Sequence, residues 1–248
     1  MVGRSEGVGS VDVPSHSLRE QSVGSEGYAG RMKEWDEIWK TEEGRKWWLE
    51  PEPLVVALLP RFKEEGLEQV LDLGFGLGRH AILLAKEGFD VYGIDASPAG
   101  LRFALQWAER EEVALNLTTG DMSHLPCGSD SFDLILAWNV IYHGTVEYIE
   151  RSIAEIERCL RPGGYLLCTL ISTRSDQCGM GEEIERGTFV IAGHEEKSYP
   201  HHYFDRAEVE AFLKAFTLLQ REDVPGGRPG SYHWHILARL DRQDEEAR

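Results

Sequence analysis

The chain is poor in cysteine and in basic residues, and it has no long apolar run. Its four cysteines, Cys127, Cys159, Cys168 and Cys178, show no C-x-x-C spacing and fall in separate segments. That pattern argues against a disulfide framework or a thiolate zinc site and for reduced thiols. Lys and Arg number 26 against 43 Asp and Glu, a formal net charge of −17. Affinity for a phosphate backbone comes from Lys and Arg releasing counterions, so nucleic acid is not expected as a partner. No segment approaches the roughly 18 apolar residues needed to span a bilayer, and no apolar signal core stands at the N-terminus. A soluble, cytoplasmic protein with no membrane partner is expected.

What is present is enough for a full core, since 42% of the 248 residues are apolar. Residues 1–30 carry six Gly and six Ser among scattered charges with no period, and read as a disordered tail. Residues 241–248 read as a second, polar tail. The segment between, 31–240, reads as one domain. It opens on RMKEWDEIWKTEEGRKWWLEPEPLVVALLPRF, in which Trp35 and Trp39 share a helix face and an apolar helix-like run precedes Pro60. Residues 31–62 are therefore a candidate helical lid.

From there strand and helix signals alternate. Strands are expected at 67–73, 90–94, 114–118, 132–138 and 165–171, and helices at 78–87, 98–111 and 146–160, the second with Ser97 as N-cap and Pro98 in its first turn. Such alternation implies βαβ units, a mostly parallel sheet and helices on both faces. The runs DLILAW and YLLCTLI suit strands buried on both sides. Over residues 172–204 the pattern breaks, which reads as an insertion in the substrate region. A helix at 205–215 and two strands at 217–224 and 233–240, joined by PGGRPG, close the domain in an antiparallel hairpin.

The stretch VLDLGFGLGRHA, residues 70–81, runs from strand through three glycines into helix. Glycine permits backbone angles closed to other residues and close approach to a ligand, and the helix N-terminus offers free N–H groups. Two registers fit. Gly74, Gly76 and Gly78 make G-x-G-x-G, while Gly76, Gly78 and Ala81 satisfy the dinucleotide fingerprint. Asp95, in VYGIDAS, suits either, because a carboxylate accepts from both hydroxyls of a ribose.

With the segments downstream, the chain resembles the class I S-adenosylmethionine-dependent methyltransferases, of the small-molecule, type 11-like kind. VLDLGFGLG is similar to their first motif, VYGIDAS to the acidic motif after it, GDMSHLPCGSDSFDLILAWNVIYH to their third and fourth strands with loops, and LRPGGYLL to the entry of their fifth. The resemblance implies a Rossmann-like seven-stranded sheet whose last strand is inserted antiparallel, with S-adenosylmethionine as cofactor. It puts Asp72 near the amino-acid end of that cofactor, with Gly74 and Gly76 in the turn beneath. Asp95 falls at the ribose hydroxyls, Ala96 in the adenine pocket, Asp121 and Met122 at the adenine, and Asn139 beside the methionine portion. Phe75, where relatives carry a small residue or Cys, and Cys127, where an aromatic is usual, depart from the pattern.

Ligands of open α/β sheets bind beyond the strands' carboxyl ends, which puts the methyl acceptor above Asn139, Tyr142 and His143. Trp35 and Trp39 either cover that edge as a lid or pack a terminal helix, and packing is the expectation for Trp47 and Trp48. A general base is sought among His143, His201 and His202, with Tyr142 and Tyr203 orienting the acceptor or packing, and the candidate catalytic set is His143, His202, Tyr142 and Tyr203. No metal is expected: His233 and His235 share a strand face but nothing completes a site. The leading expectation is methyl transfer to a small molecule. An NAD(P)-dependent oxidoreductase is the alternative, though Tyr142 is followed four residues on by Val146, not Lys. A non-catalytic S-adenosylmethionine-binding regulator is the third.

Overall fold

The computed structural model of the chain describes residues 33–194 and 197–241. The tail expected at 1–30 lies outside the described residues, as do residues 31 and 32 of the candidate lid and all of 241–248 except Asp241.

Three helices come first: α1 (Lys33–Lys40), α2 (Glu42–Arg45) and α3 (Pro53–Glu64). The last runs past Pro60, where only the run before it reads as helical in sequence. Pro60 lacks the N–H that would bond the Val56 carbonyl. The helix survives because Val55, Leu59 and Phe62 are buried on one face, while Val56 and Pro60 lie exposed. The βαβ series follows as β1 (Gln69–Leu73), α4 (Arg79–Lys86), β2 (Asp90–Asp95), α5 (Pro98–Arg110), β3 (Asn116–Thr119), β4 (Phe132–Ala137), α6 (Val146–Cys159) and β5 (Leu160–Ile171). Ser97 caps α5 as expected, its side chain accepting from the Gly100 N–H at 3.0 Å. β5 begins five residues earlier than the apolar run suggests, because Leu160 pairs with Phe132 and a register shift before Leu134–Tyr165 bulges the polar RPGG segment out of the ladder.

After β5 come β6 (Glu182–Glu185), β7 (Thr188–Val190), β8 (His201–His202), α7 (Arg206–Phe212), β9 (Phe216–Pro225) and β10 (Tyr232–Leu240). The insertion is thus a small antiparallel sheet, β6-β7-β8. It is tied to the main body by the His202 N–H on the Tyr142 carbonyl at 3.0 Å and the Gly144 N–H on the Pro200 carbonyl at 2.9 Å. α7 opens with a capping box between Asp205 and Glu208 and ends at Phe212, three residues short of the expected limit.

The main sheet has seven strands in the order β3-β2-β1-β4-β5-β10-β9, parallel except that β10 runs antiparallel to both neighbours. Side chains alternate between two cores, as period 2 requires. Val70, Leu134, Leu136 and Leu167 pack with α3 and α4. Leu71, Leu73, Ile135 and Leu166 pack with Ile149, Ile153 and Ile156 of α6 and Val209 of α7. Strand order reverses beside β1, whose neighbours are β2 and β4, so a crevice opens where these three strands end. Among the described residues no helix is long and apolar enough to cross a membrane.

Candidate active site

At that crevice lies a cavity of about 680 Å³, its open mouth included. Its floor is the turn after β1, with Gly74, Phe75, Gly76 and Leu77. One wall is Asp95, Ala96 and Ser97 after β2, another Trp138, Asn139, Val140 and His143 after β4, and Trp35, Trp39 and Trp48 form the roof. Of the residues singled out in sequence, the cavity therefore gathers Gly74, Gly76, Asp95, Ala96, Asn139, His143, Trp35 and Trp39.

The turn is built from left-handed backbone. Gly74, with φ +71°, has the clearest need of glycine, since an added Cβ would come 2.5 Å from Val140 Cγ2. Gly74→Ala is expected to cost about 2–4 kcal/mol, the sum of left-handed strain and overpacking, and to lower the denaturation midpoint accordingly. Asn139 is also left-handed, at φ +57°, and asparagine is among the few side chains suited to it. Its N–H donates to Thr169 Oγ1 at 2.8 Å, and the Thr169 hydroxyl donates back to Asn139 Oδ1 at 3.0 Å.

Asp95 ends β2 and accepts from the Gly76 N–H through Oδ2 and from the Ser97 N–H through Oδ1, both at 2.8 Å. Burial pushes its carboxyl up from the usual value, against three backbone N–H bonds that pull it down. Asp72, the fourth residue of β1, is 1% exposed and lies off the cavity wall; its Oδ2 has no partner among the described residues. Burial drives its carboxyl up to about 7, Arg79 opposing and Asp95 adding to the rise.

The roof is held by Asp36 of α1, which accepts from Ser97 Oγ at 2.9 Å and the Ala99 N–H at 2.7 Å, at the N-terminus of α5. Burial raises the Asp36 carboxyl, but these bonds and Lys40 outweigh it and the net shift is downward. Trp39 is buried, and the rings of Trp35, Trp39 and Trp48 meet at centroid distances of 4.9, 5.3 and 5.6 Å. Trp35 also meets His143 edge-on at 6.2 Å. The packing expectation holds for Trp48, which packs against the cluster of Trp39, Leu77 and Ala99, and is corrected for Trp47. Trp47 is 77% exposed, and Trp48 turns inward because the Arg79 guanidinium lies over its ring at 5.6 Å. Arg79 itself, nearly buried, is fixed by Glu52 at 3.0 Å and the Glu50 carbonyl at 2.9 Å. Trp48, Trp138, Arg79 and His80 are wall residues that motif reasoning does not single out.

The remaining candidates lie elsewhere. Asp121 sits in the connection after β3, where its Oδ1 accepts from the Ser123 N–H and hydroxyl and from the Tyr148 hydroxyl at 2.6 Å. Met122 is in the core. Tyr142 is buried behind His143, its ring 4.5 Å from the imidazole. His201 and His202 point to opposite sides, as extended neighbours must. His201 faces His143 at 4.6 Å, while His202 packs on Phe204 and Phe212 and meets Thr188 through Nδ1 at 2.8 Å. Burial lowers the His202 pKa. Tyr203 is 1% exposed, against Phe189, with Lys197 Nζ on its hydroxyl at 3.2 Å. His202 and Tyr203 thus do not reach the cavity. Among the described residues no group of three potential metal ligands occurs.

Residues 70–164 match the family model of a methyltransferase domain, a segment that contains the glycine turn, Asp95 and Asn139. The demethylmenaquinone methyltransferase of Tropheryma whipplei is 38% identical over 101 residues, 40% of this chain and 40% of that protein. Over this segment the chain is similar to the S-adenosylmethionine-dependent methyltransferases. Solved structures of this family share the fold. A methyltransferase from Methanosarcina mazei has a TM-score of 0.66 at 20% identity, covering 79% of this chain and all of that one. The 1,6-didemethyltoxoflavin-N1-methyltransferase of Burkholderia thailandensis, solved with S-adenosylhomocysteine, has a TM-score of 0.62 at 21% identity, covering 90% and 93%. The chain spans less than half the length of the first curated relatives it matches, 37%, 47% and 40% for three of them.

S-adenosylmethionine is the cofactor of this methyltransferase family. The residues present fit it. Asp72, one residue before the end of β1, has a buried carboxylate oxygen with no partner among the described residues, which a cationic group could satisfy. Asp95 has lone pairs beyond those its backbone bonds use.

Proposed function

We propose that the protein transfers a methyl group from S-adenosylmethionine to a small-molecule acceptor by in-line displacement. One observation carries this reading: the glycine turn, the Asp95 carboxylate and Asn139 line a single cavity roofed by tryptophan. Bound there, the cofactor supplies an electrophilic methyl carbon on a sulfonium whose thioether is a good leaving group. The protein's part is chiefly proximity, alignment and exclusion of water.

In this reading Asp95 holds the ribose hydroxyls, Ala96 borders the adenine, and Asp72 and Asn139 serve the amino-acid end. Asp121 and Met122 border the adenine from the β3 side. Trp35, Trp39 and Trp48 shed water from the cavity and turn π faces to a cationic centre. For an acceptor that carries a proton, His143 is the base at the cavity wall. Its Nδ1 lies 2.9 Å from the Val140 carbonyl, which only accepts, so Nδ1 bears the hydrogen; Nε2, the basic nitrogen, is buried and would have to be uncovered to meet an acceptor. Tyr142 backs that imidazole, and His202 and Tyr203 hold the insertion in place. A small acceptor is supported by the acidic charge and by the quinone and toxoflavin substrates in relatives' names.

Thermal denaturation with S-adenosylhomocysteine, NADH and NADPH in separate samples tests the proposal. S-adenosylhomocysteine at about 100 times its Kd should raise Tm by about 5–10 °C. The nicotinamide nucleotides should leave it unchanged. A shift with NADH and none with S-adenosylhomocysteine would reverse the assignment.

A further inference from the structure

Tyr148 is the third residue of α6, and its hydroxyl reaches the connection after β3, where it donates to Asp121 Oδ1 at 2.6 Å. The ring is 3% exposed and shares its core with Met122 and Ile149. Gly144 makes room for it, since a Cβ there would come 2.5 Å from Tyr148 Cδ1. A ring packed this closely holds its hydroxyl in one place.

The two carboxylate oxygens of Asp121 are used unequally. Oδ1 also accepts from the Ser123 N–H at 2.8 Å and the Ser123 hydroxyl at 2.9 Å, so three donors converge on it. Oδ2 accepts from no donor among the described residues. One oxygen is spent and the other is open to a ligand. Ser123 lies two residues on and moves with the loop, whereas Tyr148 stands on a helix. The tyrosine therefore fixes the carboxylate against the body of the fold and not merely against its own loop. Asp121 also lies next to the cavity. β3 is the neighbour of β2, and the Gly120 N–H bonds the Asp95 carbonyl at 2.9 Å, which puts Asp121 beside the wall made by Asp95 and Ala96. A base carried by a ribose on Asp95 meets the β3 side next. Adenine has one hydrogen-bond donor there, its 6-amino group, and an anionic oxygen without a donor suits it.

We propose that Tyr148 is a positioning residue for cofactor selection: by holding Asp121 Oδ1 it presents Oδ2 to the 6-amino group of adenine. The inference rests on the cofactor reading above and adds to it the group that orients the selecting carboxylate. Without the tyrosine hydroxyl the carboxylate must be immobilised at binding, which costs about three- to tenfold in affinity.

Isothermal titration of the full chain with two ligands tests this: S-adenosylhomocysteine and its 6-deamino analogue, in which hydrogen replaces the amino group. Wild type should prefer the first by about tenfold or more, the worth of a hydrogen bond to a carboxylate. Tyr148→Phe keeps the ring and its packing, and Ser123 still satisfies Asp121, so the fold should be retained. This variant should bind the deamino analogue as wild type does and bind S-adenosylhomocysteine about three- to tenfold more weakly. Asp121→Ala should abolish the preference. Adding Tyr148→Phe to Asp121→Ala should change neither affinity, because a residue that acts through Asp121 then has nothing to act on. A loss shared equally by both ligands would mark Tyr148 as packing alone, and an unchanged preference in Tyr148→Phe would remove it from selection. Either result overturns the inference and leaves the cofactor reading standing. Failure of wild type to bind either ligand would overturn both.

Discussion

Asp95→Ala is expected to weaken S-adenosylhomocysteine binding by about 100-fold or more and to erase its thermal shift. Hydrogen bonds to a charged acceptor are worth about 1.5–3 kcal/mol each, and the ribose reading assigns this carboxylate two. Some cost falls on the free protein as well. The Gly76 and Ser97 N–H groups both donate to Asp95, and the alanine variant leaves them to water or unpaired. Asp95→Asn separates the two effects. Its amide oxygen can keep one of those N–H bonds, so the fold is largely preserved, but an amide cannot accept from two hydroxyls as a carboxylate does. Isothermal titration of wild type and both variants should therefore show large affinity losses in each, with a much smaller Tm loss in the asparagine variant. Near wild-type affinity in Asp95→Ala would remove Asp95 from the site.

Asp36→Ala provides a contrast on the same helix terminus. Asp36 bonds Ser97 and Ala99 from the roof, so its loss should loosen α1 and change tryptophan fluorescence while costing less than about tenfold in affinity, because its bonds are to the protein and not to the ligand.

The parallel sheet was legible because its signals are local: apolar runs of strand length, glycine at strand-to-helix turns, and a serine–proline start for α5. The strand-end lining of the cavity was legible for the same reason, since Gly74, Gly76, Asp95 and Asn139 each stand at a strand end and strand ends converge in this topology. The roof was not. Trp47 and Trp48 are neighbours of one type, yet one is 77% exposed and the other lines the cavity, because a turn after α2 and the guanidinium of Arg79, about 30 positions on, decide between them. Arg79 itself reads as the ordinary first turn of a helix until Glu50 and Glu52 are seen to anchor it. His202 and Tyr203 misled in the opposite sense. A His-His-Tyr-Phe cluster looks chemical in sequence, but β8 alternates and its second histidine faces Phe204 and Phe212 on the far side.

Asp72→Asn is expected to stabilise the ligand-free protein at pH 8 and to flatten its dependence on pH. The Asp72 carboxyl sits at about 7 in the folded chain, raised by burial, with Arg79 opposing and Asp95 reinforcing the shift. In the unfolded chain it titrates near 3.8. Between those values the folded state holds the proton more tightly, so stability is greatest below the lower one and falls as pH rises toward 7. The full loss is about 4 kcal/mol, reached above pH 7 where the buried carboxylate is ionised without a partner for Oδ2. Wild type should therefore lose stability in urea between pH 5 and pH 8, whereas the asparagine variant, uncharged throughout, should not share that part of the slope. Ligand turns the comparison round. An ammonium group brought to Asp72 gives the carboxylate its missing charge, so S-adenosylhomocysteine should protect wild type at pH 8 far more than it protects Asp72→Asn. Equal protection of the two would leave Asp72 as a buried acid with no part in binding. A wild-type stability that rises from pH 5 to pH 8, with the variant parallel to it, would contradict the raised carboxyl itself.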